Sequence, residues 1–70
     1  MNEQSMRLFL NAKPFETFVV VMSSGQRYEV RHPENVLLSK SKIVIMDPDE
    51  DTVAICGLLH VATVETQQTA

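Results

Sequence analysis

The sequence predicts a mainly β domain: a short N-terminal helix followed by a five-stranded, bent antiparallel sheet that curls into a small barrel. Three observations predict it. Short apolar runs follow one another after Pro14, separated by turns rich in Gly, Pro, Ser and Asp. One run is interrupted by His32-Pro33-Glu34-Asn35, where Pro33 lacks the amide that a ladder needs. Helical periodicity is confined to a stretch ahead of Pro14.

Taken in order, Ser5 is the expected N-cap of a helix over Ser5–Ala12, with Met6, Phe9 and Leu10 at i, i+3, i+4 on one face. Pro14 biases Lys13 away from helical angles and closes the segment. Two turns are too few to stand alone, so the apolar face must pack on something. Phe15–Ser23 is the strongest strand, with Phe15, Thr17, Val19 and Val21 on one side and Phe18, Val20 and Met22 on the other. Such a strand is covered on both faces; the helix is the expected cover for one and the core for the other.

Ser24-Gly25 supplies a tight turn into Gln26–Arg31. Tyr28 and Val30 are expected inward, and Arg27, Glu29 and Arg31 form a charged outer stripe. Val36–Ser39 resumes this strand after the Pro33 break, giving one long strand bent at a bulge. Lys40-Ser41 turns the chain into Lys42–Asp47, where Ile43 and Ile45 alternate with Val44 and Met46. Pro48–Asp51 is an acidic turn, Thr52–Cys56 the next strand and Val61–Glu65 the last. Gly57–His60 between them suits a single 3₁₀ turn. The domain is thus expected over 5–65, with 66–70 a frayed polar tail. A bent strand lets a small antiparallel sheet close and limit its edges, so the expected architecture is an SH3-like barrel.

Seventy residues make one domain. A chain this short buries only about 60% of its unfolded surface, so disulfides, a metal or self-association usually assist. Cys56 is the only cysteine, which excludes an internal disulfide and fits a reducing compartment. No CxxC or HxxxH spacing joins Cys56, His32 and His60, so no metal is expected. That leaves a homo-oligomer, with Thr52–Cys56 and Val61–Glu65 as its expected contact edges. Met1–Leu10 lacks the layout of a secretion signal, and no apolar run approaches the roughly 20 residues of a membrane span. The reading is a cytoplasmic protein with no membrane partner. The net charge of −3 argues against non-specific polyanion binding and against a DNA partner.

Catalytic chemistry finds no foothold. No nucleophile–base pair, paired carboxylate or phosphate-cradling glycine loop is present, and the chain has two glycines, so no enzyme and no cofactor are expected. His32-Pro33-Glu34 sets an imidazole near a carboxylate, as proton transfer requires, but a strand-breaking turn whose polar groups satisfy local backbone accounts for it better. Cys56 without a base reads as a buried small hydrophobe. Asp47, Asp49, Glu50 and Asp51 lack the glycine and twelfth-position glutamate of an EF-hand loop.

The order of helix and five bent strands, with Ile55-Cys56-Gly57 followed by Val61 and Val64, resembles the Sm-like fold, including the Hfq-type bacterial RNA chaperones. In those proteins a Lys-His pair precedes the last strand; here Leu59-His60 keeps the histidine alone. The resemblance implies a ring that binds single-stranded RNA, with His60, Tyr28, Arg27, Arg31 and His32 as candidate contacts. Val30-Arg31-His32-Pro33-Glu34, Asp47-Pro48-Asp49 and Leu58-Leu59-His60-Val61 are also similar to a group of short bacterial proteins of unknown function, which implies no activity. Two functions follow: first a self-associating, non-catalytic binding or assembly module, and second an RNA-binding ring.

Overall fold

A computed structural model describes residues 1–66. It contains helix α1 (Glu3–Leu10) and six strands: β1 (Phe18–Met22), β2 (Arg27–Val30), β3 (Val36–Leu38), β4 (Lys42–Asp47), β5 (Thr52–Gly57) and β6 (Val61–Thr66). Two 3₁₀ turns, Pro33–Asn35 and Leu58–His60, interrupt the chain before β3 and before β6. The strands form two antiparallel sheets with orders β2-β1-β6 and β3-β4-β5.

This differs from one sheet of five strands. The expected long strand is two strands in two sheets, and the segment between them is a 3₁₀ turn instead of a bulge. Pro33 occupies its first turn, and the Val36 amide closes it on the Pro33 carbonyl. A full turn of helix redirects the backbone far more than one extra residue does, so β3 leaves the first sheet and pairs with β4. Leu58–His60 repeats the device, carrying the chain from β5 back to β1 through β6.

The helix begins earlier than Ser5. Asn2 holds an extended backbone and its Oδ1 accepts from the Ser5 amide at 2.8 Å, which makes Asn2 the cap. Glu3 then sits in the first turn and pairs with Arg7 one turn on at 2.6 Å. The helix stops at Leu10, ahead of Pro14. β1 also starts late, at Phe18. Its partner β2 ends opposite it, with Val30 facing Phe18, so Phe15–Thr17 has no strand to pair with on that side.

The core is one cluster of Met6, Phe18, Val20, Val30, Ile43, Ile45, Cys56, Leu58 and Val61. Phe18 is its centre. Its ring lies 5.5 Å from Phe9 and 5.9 Å from Phe15, both tilted, as aromatic quadrupoles prefer. The helix and the second sheet therefore meet on the same side of β1, the side of Phe18 and Val20.

Val19, on the opposite face, is nonetheless only 7% exposed. Register explains this. Arg27 on β2 lies opposite Val21, and Glu65 on β6 lies opposite Val19, so both side chains share that face. Arg27 Nη2 donates to Glu65 Oε1 at 2.5 Å, and this bridge crosses the central strand. The second face of β1 is covered by a charged strap, where the sequence suggested the helix or the core.

Among the described residues, nothing covers the second sheet in this way. Its inner residues Ile43, Ile45 and Cys56 are buried. Its outer face carries Leu37 opposite Val44 opposite Ile55, and Met46 opposite Val53. Leu37, Ile55 and Val53 are 73%, 69% and 61% exposed. The turns flanking β4 are well made. Ser39 accepts from and donates to Lys42 backbone, and Asp47 Oδ1 accepts from the Asp49 and Glu50 amides. Among the described residues no helix is long and apolar enough to cross a membrane. β6 runs through Thr66, one residue past the expected Glu65; the rest of the expected tail, 67–70, lies outside the described residues.

Candidate functional site

The residues singled out by sequence fall in three places. His60 ends the second 3₁₀ turn, and that turn is pinned from both sides. Buried Leu58 anchors it in the core, and its amide donates to the Ser41 carbonyl at 2.9 Å. The His60 carbonyl accepts from the Ser23 amide at 2.8 Å. With its backbone held, the turn presents Leu59 and the His60 imidazole to solvent.

Two clefts meet at His60. One, of about 350 Å³, is shared with Tyr28, Gln26, Met22 and Cys56. The Tyr28 hydroxyl donates to Gln26 Oε1 at 2.8 Å, while the ring packs on the core. The other, of about 580 Å³, runs past Lys40 and Lys42 to Met1 and Asn2. The structure thus brings His60 into one cleft with Tyr28 and into another with Lys40, expected in a turn, and Lys42, expected at the start of a strand. Their proximity follows from the Leu58–Ser41 hydrogen bond, which no spacing in the sequence announces.

Arg31 and His32 lie elsewhere, at a cleft of about 110 Å³ between the end of β2 and the acidic β4–β5 turn. Arg31 Nε pairs with Glu29 at 2.9 Å, and its Nη2 reaches Asp49 at 3.5 Å. Both partners are acidic, so the guanidinium is matched from within and exerts little field on a phosphate. His32 caps the first 3₁₀ turn with its carbonyl, which accepts from the Asn35 amide at 3.1 Å. Its side chain makes no capping hydrogen bond. The turn is held by backbone alone, in place of the side-chain contacts the sequence suggested. Arg27 stands apart again, committed to Glu65 on the outer face of the first sheet.

Cys56 is buried in the core and its thiol has no disulfide partner. Burial pushes that thiol above its ordinary value of 9.0, since a thiolate there loses its hydration. A neutral, shielded thiol is a poor nucleophile. Among the described residues, no three His, Cys, Asp or Glu side chains come together as a group able to hold a metal ion. No protein-family model, curated protein or solved structure matches this chain, so its function is read from this geometry.

Proposed function

We propose that the chain is a non-catalytic binding or assembly module that self-associates, with Thr52–Cys56 and Val61–Glu65 as its contact edges. The observation that carries this reading is the state of the four sheet edges. β2 and β3 are edges of the protected kind: β2 alternates Arg27 and Glu29 along its length, and β3 has three residues. β5 and β6 are also edges, six residues each, with no proline. β5 carries no charge at all, and β6 has Glu65 near its end. Unprotected edges of that length pair with another strand or cost solubility. The helix-first order and the two 3₁₀ breaks support an SH3-like, Sm-like arrangement of the two sheets, and the lone cysteine supports a reducing, cytoplasmic setting. Light scattering over a dilution series tests the reading. A species larger than one chain is expected at micromolar concentration, and a monomer throughout refutes it.

A second reading, an Sm-like ring that binds single-stranded RNA, draws support from His60 sharing one cleft with Tyr28 and another with Lys40 and Lys42. A tyrosine ring stacks on unpaired bases, and two ammonium groups neutralise phosphates. Its test is fluorescence anisotropy with A-rich and U-rich oligonucleotides in low salt. Binding that weakens with added salt and with His60→Ala supports it; unchanged anisotropy rules it out.

A further inference from the structure

The outer face of the β3-β4-β5 sheet is the one large apolar surface that nothing in the described fold covers. Strand alternation places Leu37, Val44, Met46, Val53 and Ile55 together on it, and register makes them contiguous in two cross-strand rows. These five side chains present on the order of 450 Å² of accessible surface, the size at which a patch marks a contact site. The ends of the same face are oppositely charged. Lys42 shares the face with Val44 and Met46 by the same alternation, and Lys40 lies beside it in the β3–β4 turn. The other end is the Pro48–Asp51 turn, where Glu50 and Asp51 are exposed and Asp49 is matched by Arg31.

We infer that two copies of this chain pack face to face through this surface, with β4 antiparallel to β4 of the partner copy. The inference rests on the self-association reading and specifies a contact face where that reading names strand edges. Charge complementarity selects the second copy and its orientation. A two-fold axis lying in the interface and perpendicular to the strands sets the lysine end of each sheet over the acidic end of the other. An axis parallel to the strands would set acid on acid. Such an isologous contact matches each row of apolar residues with a row on the other sheet, at the spacing of about 10 Å usual for stacked sheets. With its charged rim it removes about 1,000 Å² in total, the lower bound of a specific interface.

Sedimentation velocity over a dilution series in low salt tests it, on the native chain and three variants. Leu37→Lys is the main probe, because Leu37 is 73% exposed and lies on β3, away from the β5 and β6 edges. A native dimer whose dissociation constant rises about tenfold or more in Leu37→Lys is expected, since the variant buries an unpaired charge. Lys42→Glu should weaken it, and the double variant Lys42→Glu/Glu50→Lys should restore it. Native association that Leu37→Lys leaves unchanged overturns the face contact while self-association stands. A native monomer across the series overturns both. A double variant as weak as Lys42→Glu overturns the antiparallel arrangement. Unaltered circular dichroism of each variant separates lost association from lost fold; should Leu37→Lys unfold, Met46→Lys, on the central strand of the same face, replaces it.

Discussion

Replacing Arg27 removes a side chain that spans β1 from beside Val21 to Glu65, opposite Val19, and its stem over that face should matter more than the charge it carries. The Arg27 and Glu65 side chains are 55% and 49% exposed, so their ion pair contributes no more than about 0.5 kcal/mol. Val19 is 7% exposed, and full burial of a valine stabilises by about 1.5 kcal/mol. Truncating Arg27 to Ala uncovers a large part of that valine, so Arg27→Ala should cost about 1 kcal/mol in all. Arg27→Met keeps an unbranched stem over β1 and discards the charge; it should cost about 0.5 kcal/mol or less. Urea unfolding followed by circular dichroism, at one fixed protein concentration, measures both. The gap between the two variants should persist in high salt, because hydrophobic cover is not screened. If Arg27→Met is as damaging as Arg27→Ala, or if salt erases the gap, the strap acts through charge and the reasoning fails.

Three further outcomes are expected. Gly25 has φ 94° with open space where a Cβ would go, so Gly25→Ala should cost about 1 kcal/mol through backbone strain alone, read as a shift in the urea midpoint. Asp47→Ala removes the acceptor of the Asp49 and Glu50 amides and should cost about 0.5–1 kcal/mol in the same assay, with no change in helix signal. Because burial raises the Cys56 thiol, the folded chain holds that proton more tightly than the unfolded one. Its contribution is fully present below 9.0 and is lost as pH rises from 9.0 through the raised folded value. The stability of Cys56→Ala should therefore fall less steeply in alkali than that of the native chain; parallel slopes would count against the burial argument.

Much of the chain was legible from local chemistry. The Ser24-Gly25 turn, the span Lys42–Asp47, the acidic turn after it and the 3₁₀ turn at Leu58–His60 each follow from residues that touch their own neighbours. What was hidden depends on distant partners. Phe15–Thr17 alternates like a strand, yet β2 turns away before reaching it. Pro33 announced a break without saying that the next strand would join another sheet. Ser5 and Asn2 are equal caps in isolation, and the competition goes to the residue that leaves Glu3 and Arg7 a turn apart inside the helix. The apolar outer face was visible in principle, since Val44, Met46, Val53 and Ile55 alternate with core residues on β4 and β5. The two-faced reading given to Phe15–Ser23 applies equally to those strands. For the candidate site, Tyr28 and His60 could be chosen by residue type, but their meeting, and that of His60 with Lys40 and Lys42, depends on how the second 3₁₀ turn docks.

The 3₁₀ turn at Pro33–Asn35 also divides the chain in folding time. Everything in the second sheet lies within residues 36–57, a meander whose pairings close only short loops. The first sheet draws on 18–30 and then waits for 61–66, because β1 must find β6 across the whole intervening meander. Loop-closure entropy makes that last pairing the costlier one to form. Amides donated between β1 and β6 should accordingly exchange with solvent earlier than those between β4 and β5, so that the strand expected to meet a partner is also the one most readily released by its own fold.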